Sequence, residues 1–96
     1  MPCIARVGDI GSGHGSFPDT PIISGSNNVF TNSTPTARQG DPLEPHNSPT
    51  PSPQHSRSIA LGSANIFVNG KPMARIGDAV DCGGLIVQGS GNAKGN

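Results

Sequence analysis

One five-residue phrase is written three times in this chain: "ARVGD" at 5–9, "ARQGD" at 37–41 and "ARIGD" at 74–78. An internal repeat constrains a fold more than any local propensity, so its register comes first. Laid over one another, "GSNNVFTNSTPTARQGD" (25–41) and "GSANIFVNGKPMARIGD" (62–78) need no gap and match at ten of 17 positions. A third copy is split between the two ends. Residues 5–9 supply its second half, and "GSGN" at 89–92, running on into "AKGN", supplies its first. A repeat cut in this way predicts that residues 1–9 and 89–96 meet in space and close a ring of three units in a single domain, 1–96.

Each unit reads as a hairpin. "NVFTN" and "NIFVN" alternate apolar and polar residues with β-branched and aromatic side chains, which favours short strands. Asn69-Gly70 offers the positive φ that a tight type I′ turn needs, and Asn32-Ser33 offers it less well. Gly77 supplies a bend that a Cβ would resist. No stretch carries ten residues of helical periodicity between caps. The expected fold class is therefore all-β and otherwise irregular, a small pseudo-three-fold repeat of short strands and turns.

Residues 42–58, "PLEPHNSPTPSPQHSRS", differ in kind and hold five of the ten prolines. Alone, this insertion reads as an extended, polar surface loop. Its "PTPSP" is a weak match to a polyproline ligand of a binding groove.

Such a chain is short of core material. Hydrophobic residues make up 31% of its 96 residues, with no Trp, no Tyr and three Phe. Small domains with thin cores usually carry a staple, whether disulfide, metal or oligomer. Gly and Pro together form a quarter of the chain, a share that often signals disorder. Regularly spaced Gly-Asp pairs between apolar residues argue against that. Six basic and six acidic residues cancel, so no basic stripe is available for nucleic acid. Nothing approaches a membrane span of roughly 20 apolar residues. The N-terminus lacks the pattern of a signal peptide, so the chain is expected to be made in the cytoplasm and to leave, if it does, by another route.

A candidate staple lies just behind each phrase. His14 lies five residues after Asp9, His46 five after Asp41, and Cys82 four after Asp78. Around a three-fold axis these side chains would converge. His55, the remaining histidine, lies in the Pro-rich insertion and can supply a fourth ligand. Three imidazoles and one thiolate suit a closed tetrahedral zinc site, with copper, nickel or iron as the alternatives. In small peptides structural zinc contributes on the order of 10–16 kcal/mol of apparent binding energy, against about 5–15 kcal/mol for the net stability of a domain. Cys3 has no matching register and reads as a small buried hydrophobe. It is the competing sulfur ligand, and a Cys3–Cys82 disulfide is the other pairing the composition allows. The repeated Arg and Asp read as ion pairs, within or between units, that lock turns.

These residues resemble the PAAR-repeat family over essentially the whole chain. "PTAR" and "PMAR" keep Pro35, Ala37, Arg38 and Pro72, Ala74, Arg75 of its eponymous motif, while "CIAR" at 3–6 lacks the proline. The resemblance implies a cone-shaped all-β protein with zinc near its apex, held by three His and one Cys, which carries over to His14, His46, His55 and Cys82. It also implies a structural role rather than an enzymatic one. Family members cap the blunt end of a trimeric β-helical spike, VgrG in type VI secretion systems or the spike of a contractile phage tail, and sharpen it for puncture of a cell envelope. The chain ends a few residues after its last repeat fragment, which suggests the kind without an effector extension. A small zinc hydrolase and a free-standing binding module are the competing classes. No stable membrane insertion is expected.

Overall fold

Two turns led by asparagine set the local pattern. The computed structural model describes residues 1–13, 17–46, 55–81 and 83–96, with His55 described by its backbone alone. Strands β3 (Phe30–Thr31) and β4 (Thr34–Pro35) pair antiparallel, as do β7 (Phe67–Val68) and β8 (Lys71–Pro72). Asn32, Ser33, Asn69 and Gly70 have φ of 54°, 62°, 54° and 78°. Both turns therefore have the positive φ at both central positions that marks type I′. Ser33 accepts the same geometry as Gly70 despite its Cβ.

A third pairing joins the two ends of the sequence. Cys3 bridges Lys94, and Gly95 N–H donates to the Pro2 carbonyl at 3.0 Å. In the repeat register Cys3 matches Pro35 and Pro72, and Lys94 matches Phe30 and Phe67.

The three units meet at alanine. Ala5 N–H donates to the Ala74 carbonyl, Ala74 N–H to Ala37 and Ala37 N–H to Ala5, each at 3.0 Å. These bonds form a closed three-membered ring, and all three alanines are fully buried. A larger side chain at this crossing would force the strands apart, which accounts for the invariable Ala of the phrase.

The rest of the phrase is a locked turn. Arg38 donates from Nε to Asp41 Oδ2 at 2.9 Å and from Nη2 to Oδ1 at 2.8 Å, and its backbone N–H also reaches Oδ2 at 2.8 Å. Arg6 with Asp9 and Arg75 with Asp78 repeat this bidentate pair. All three pairs lie within a unit, on buried carboxylates. The hydrogen bonds each Arg donates to its Asp, and to a lesser degree the carboxylate's charge, raise the Arg pKa above the ordinary arginine value, against a smaller lowering by burial. Gly8, Gly40 and Gly77 close the turns at φ of 93°, 92° and 95°, where an L-residue would be strained. The "GS" before each strand has a matching explanation. Ser26, Ser63 and Ser90 each accept from backbone N–H groups two and three residues on, a side-chain turn that launches the strand.

Units are stitched to one another by the turn asparagines. Asn69 accepts from Arg38 Nη1 at 3.0 Å and donates to Asn28 at 2.8 Å. Asn32 does the same with Arg6 and Asn92.

From each locked turn the chain leaves on an excursion and returns at an isoleucine. The three arms are residues 10–21, 42–58 and 79–85. They contain β1 (Ile10–Gly11) paired with β2 (Thr20–Pro21), and β5 (Pro42–His46) paired with β6 (His55–Ser58). The Pro-rich insertion is thus bounded by the longest strands of the described chain rather than being a surface loop throughout. Leu43 and Arg57, on those strands, are among its most buried residues.

The core stacks along the axis in layers: Ala5, Ala37 and Ala74; Ile22, Ile59 and Ile86; then Leu43 and Val80. Gly11 holds the third place in the last layer. A Cβ there would meet Leu43 Cδ2 at 2.3 Å, so one large side chain fills the place of two. The molecule measures 39 × 23 × 22 Å, one long dimension and two nearly equal short ones, as stacking along a single axis requires.

Candidate metal centre

The arms are laced together beyond the core layers. Ser12 N–H donates to the Leu85 carbonyl at 2.7 Å, and Leu85 N–H returns to Ser12 Oγ at 2.9 Å, which joins the first arm to the third. Asp81 ties the third arm to the second, accepting from Ser58 N–H at 3.0 Å and Ser58 Oγ at 3.2 Å. Ile23, just past the end of the first arm, donates its N–H to the Pro42 carbonyl at 3.0 Å and ties that end to the second arm. Gly84 lies so close to Ser12 that a Cβ would sit 2.1 Å from its carbonyl oxygen.

Of the four sequence-predicted ligands, His46 is the one whose side chain is described. It is 2% exposed, at the end of β5. Its ring stands against Phe17, with centroids 4.9 Å apart, and Nδ1 lies 2.8 Å from the Pro18 carbonyl oxygen. A carbonyl can only accept, so Nδ1 is the donor in this contact. A ring oriented through one nitrogen by a backbone carbonyl is the usual arrangement of a metal-ligating histidine. His55 stands directly opposite His46 across the β5–β6 ladder. His14 and Cys82 lie outside the described residues. Their flanks are described, and they converge: Ser12 meets Leu85, while Phe17 and Pro18 meet His46.

Among the described residues no group of three or more His, Cys, Asp or Glu is gathered to hold a metal. The donor that is described nonetheless fits one: a buried imidazole anchored through Nδ1 to a backbone carbonyl, on a strand whose ladder partner is a second histidine. Cys3, the competing sulfur, has a free thiol, is half-buried, and sits in the ring of hairpins, with its carbonyl accepting from Ile76 N–H at 2.9 Å.

Sequence reasoning passes over Arg57. Only 2% exposed, it is the largest fully buried side chain described. Nη1 donates to Thr20 Oγ1 at 2.7 Å and to the Gly11 carbonyl at 3.2 Å. Nη2 donates to the Ser12 carbonyl and, at 3.5 Å, to that of Gly83. Nε is buried with no acceptor among the described residues, a situation that costs about 1–3 kcal/mol when nothing fills it. A polar residue in a Pro-rich stretch gives no sequence signal of such burial.

A family model, the PAAR motif, matches residues 12–88. No curated protein matches the chain.

Proposed function

Because the chain belongs to the PAAR-motif family, we propose that it is a structural tip protein, stabilised by one zinc ion, that caps a trimeric β-helical spike. A VgrG-like protein of a type VI secretion system or the spike of a contractile phage tail is the partner class. The observation that carries the reading is the alanine ring: one chain presents three nearly equivalent faces about one axis. A homotrimer ends in three equivalent strand edges, and uncovered edges invite association. A single pseudo-symmetric cap covers all three by strand or loop addition.

The hairpins offer the matching surface. Phe30 and Phe67 are both 56% exposed at equivalent positions, beside the partly exposed Val29 and Ile66. Residues His14, His46, His55 and Cys82 would hold the zinc at the far end. When bound, zinc supplies a closed tetrahedral cross-link between arms and no open position for a substrate. The chain's own residues do the remaining work. Pro18 orients His46, Arg–Asp pairs hold the turns, and the alanine ring fixes the axis. The role is mechanical rather than catalytic, and the protein would leave the cytoplasm assembled on its spike, with puncture of a target envelope as the outcome.

Mass measurement of a complex with a spike encoded beside its gene tests this. One cap per spike trimer is the expected result. Three caps per trimer, or no binding to such a spike, would defeat it in favour of a free-standing binding module.

A further inference from the structure

Arg57 is a buried cation whose described partners are all neutral oxygens, and those oxygens belong to different arms. It projects from the second arm. Gly11, Ser12 and Thr20 belong to the first, and Gly83 to the third. In the repeat register Arg57 corresponds to Thr20 and Gly84, so a whole layer of the axis is filled from one arm. Gly84 contributes no side chain, and the short Thr20 turns its hydroxyl to the guanidinium. The candidate ligands are close neighbours of these residues in sequence. His14 comes two residues after Ser12, Cys82 directly before Gly83, and His55 two residues before Arg57.

We infer that Arg57 is a positioning residue for the metal centre, fastening the three ligand-bearing arms in the relative placement that the metal requires. The inference rests on the zinc reading above. A guanidinium can do this because its donors form a rigid planar fork that reaches several carbonyls at once, whereas an ammonium is a point donor on a flexible stem. Ligand-supporting contacts of this kind typically change metal affinity about 10–100-fold when removed.

The test uses the full chain, with zinc affinity measured by chelator competition and the visible spectrum of the cobalt-substituted protein as a report on coordination geometry. R57K should weaken zinc binding within that range and alter the cobalt spectrum. T20V keeps the charge but removes one acceptor, and should shift both readouts less and in the same direction. M73A weakens the packing of the hairpin ring, where Met73 is buried and bonded to Ser63 and Ile66 rather than to any acceptor of Arg57, and should leave the cobalt spectrum as in the wild type. Wild-type affinity and spectrum in both R57K and T20V would overturn the inference, as would a spectrum altered equally by M73A. If R57K fails to fold, T20V decides the matter alone. Wild-type protein that takes up no zinc would remove the metal centre itself, a failure distinct from the loss of Arg57's role within it.

Discussion

The ring of hairpins and the bundle of arms grow from the same three units, yet only the ring keeps the symmetry. In the ring, equivalent hydrogen bonds agree closely in length: Gly8, Gly40 and Gly77 each donate at 2.8 Å to Ile22, Ile59 and Ile86. The arms span residues 10–21, 42–58 and 79–85 and share almost no side chain at equivalent places. Leu43 stands opposite a glycine, and Arg57 opposite a threonine and another glycine. The lesson is about what each region must satisfy. Three strands crossing at one axis have one solution, repeated. The proposed tetrahedral centre needs four ligands, and three equivalent arms would supply only three, so under that reading one arm must differ.

The largest test of that contrast is removal of metal. Ligands bind zinc deprotonated, so a strong chelator, or mildly acidic solution, should release zinc and unfold the protein together. Circular dichroism recorded alongside zinc release checks it. Release with the spectrum intact would make the metal a passenger and the arms self-sufficient.

The locked turns should respond next most strongly, and alike. Arg38→Ala leaves the Asp41 carboxylate buried without its ion-pair partner, and breaking such a pair costs about 3–5 kcal/mol. Arg6→Ala and Arg75→Ala should fall in the same range in urea titrations. A wide spread among the three would show the ring to be less symmetric in energy than in geometry. Alkali should not open these pairs. The raised Arg pKa values keep the guanidinium charged, so that contribution is full below the ordinary arginine value and lost only as pH climbs through the higher folded one.

Leu43→Ala probes the asymmetric layer. With Gly11 opposite, little side chain stands ready to refill the space, and a loss of about 2–5 kcal/mol is expected. The smallest effect is a gain. Ser33→Gly relieves a non-glycine residue at φ 62°, worth about 1–2 kcal/mol, less roughly 0.5–1 kcal/mol of added chain entropy. A slightly higher melting temperature would confirm that the "NS" turn is the weaker of the two.

Legibility in the sequence divides along the same line. The phrase, its Arg–Asp pairing and the Asn69-Gly70 turn can be read because each carries a local signal: a repeated polar pair, or a dipeptide suited to positive φ. The ring of alanines cannot. Its bonds are made by backbone, and alanine offers no polar side chain to announce them. The insertion at 42–58 misleads at its edges for a related reason. Proline and serine suggest an exposed loop, while Leu43 and Arg57 are buried by contacts with arms that lie far away in sequence. Of the proposed zinc ligands, spacing nominates three and the leftover histidine is the fourth. The setting of His46, with its Pro18 contact, adds the ring's anchorage that no spacing could supply.

The pairing of Cys3 with Lys94, and of Ile4 N–H with the Ala93 carbonyl, bears on when the molecule can fold. On the ribosome the chain emerges N-terminus first, at about 5–20 residues per second. The second and third hairpins can form as they appear, but residues 1–4 lack their hairpin partner until residues 93–95 are released. Contacts of such sequence separation slow folding. Of the three units, the one begun first is therefore the last to be completed, and the segment at 3–6 waits through synthesis of the other two with that edge unpaired.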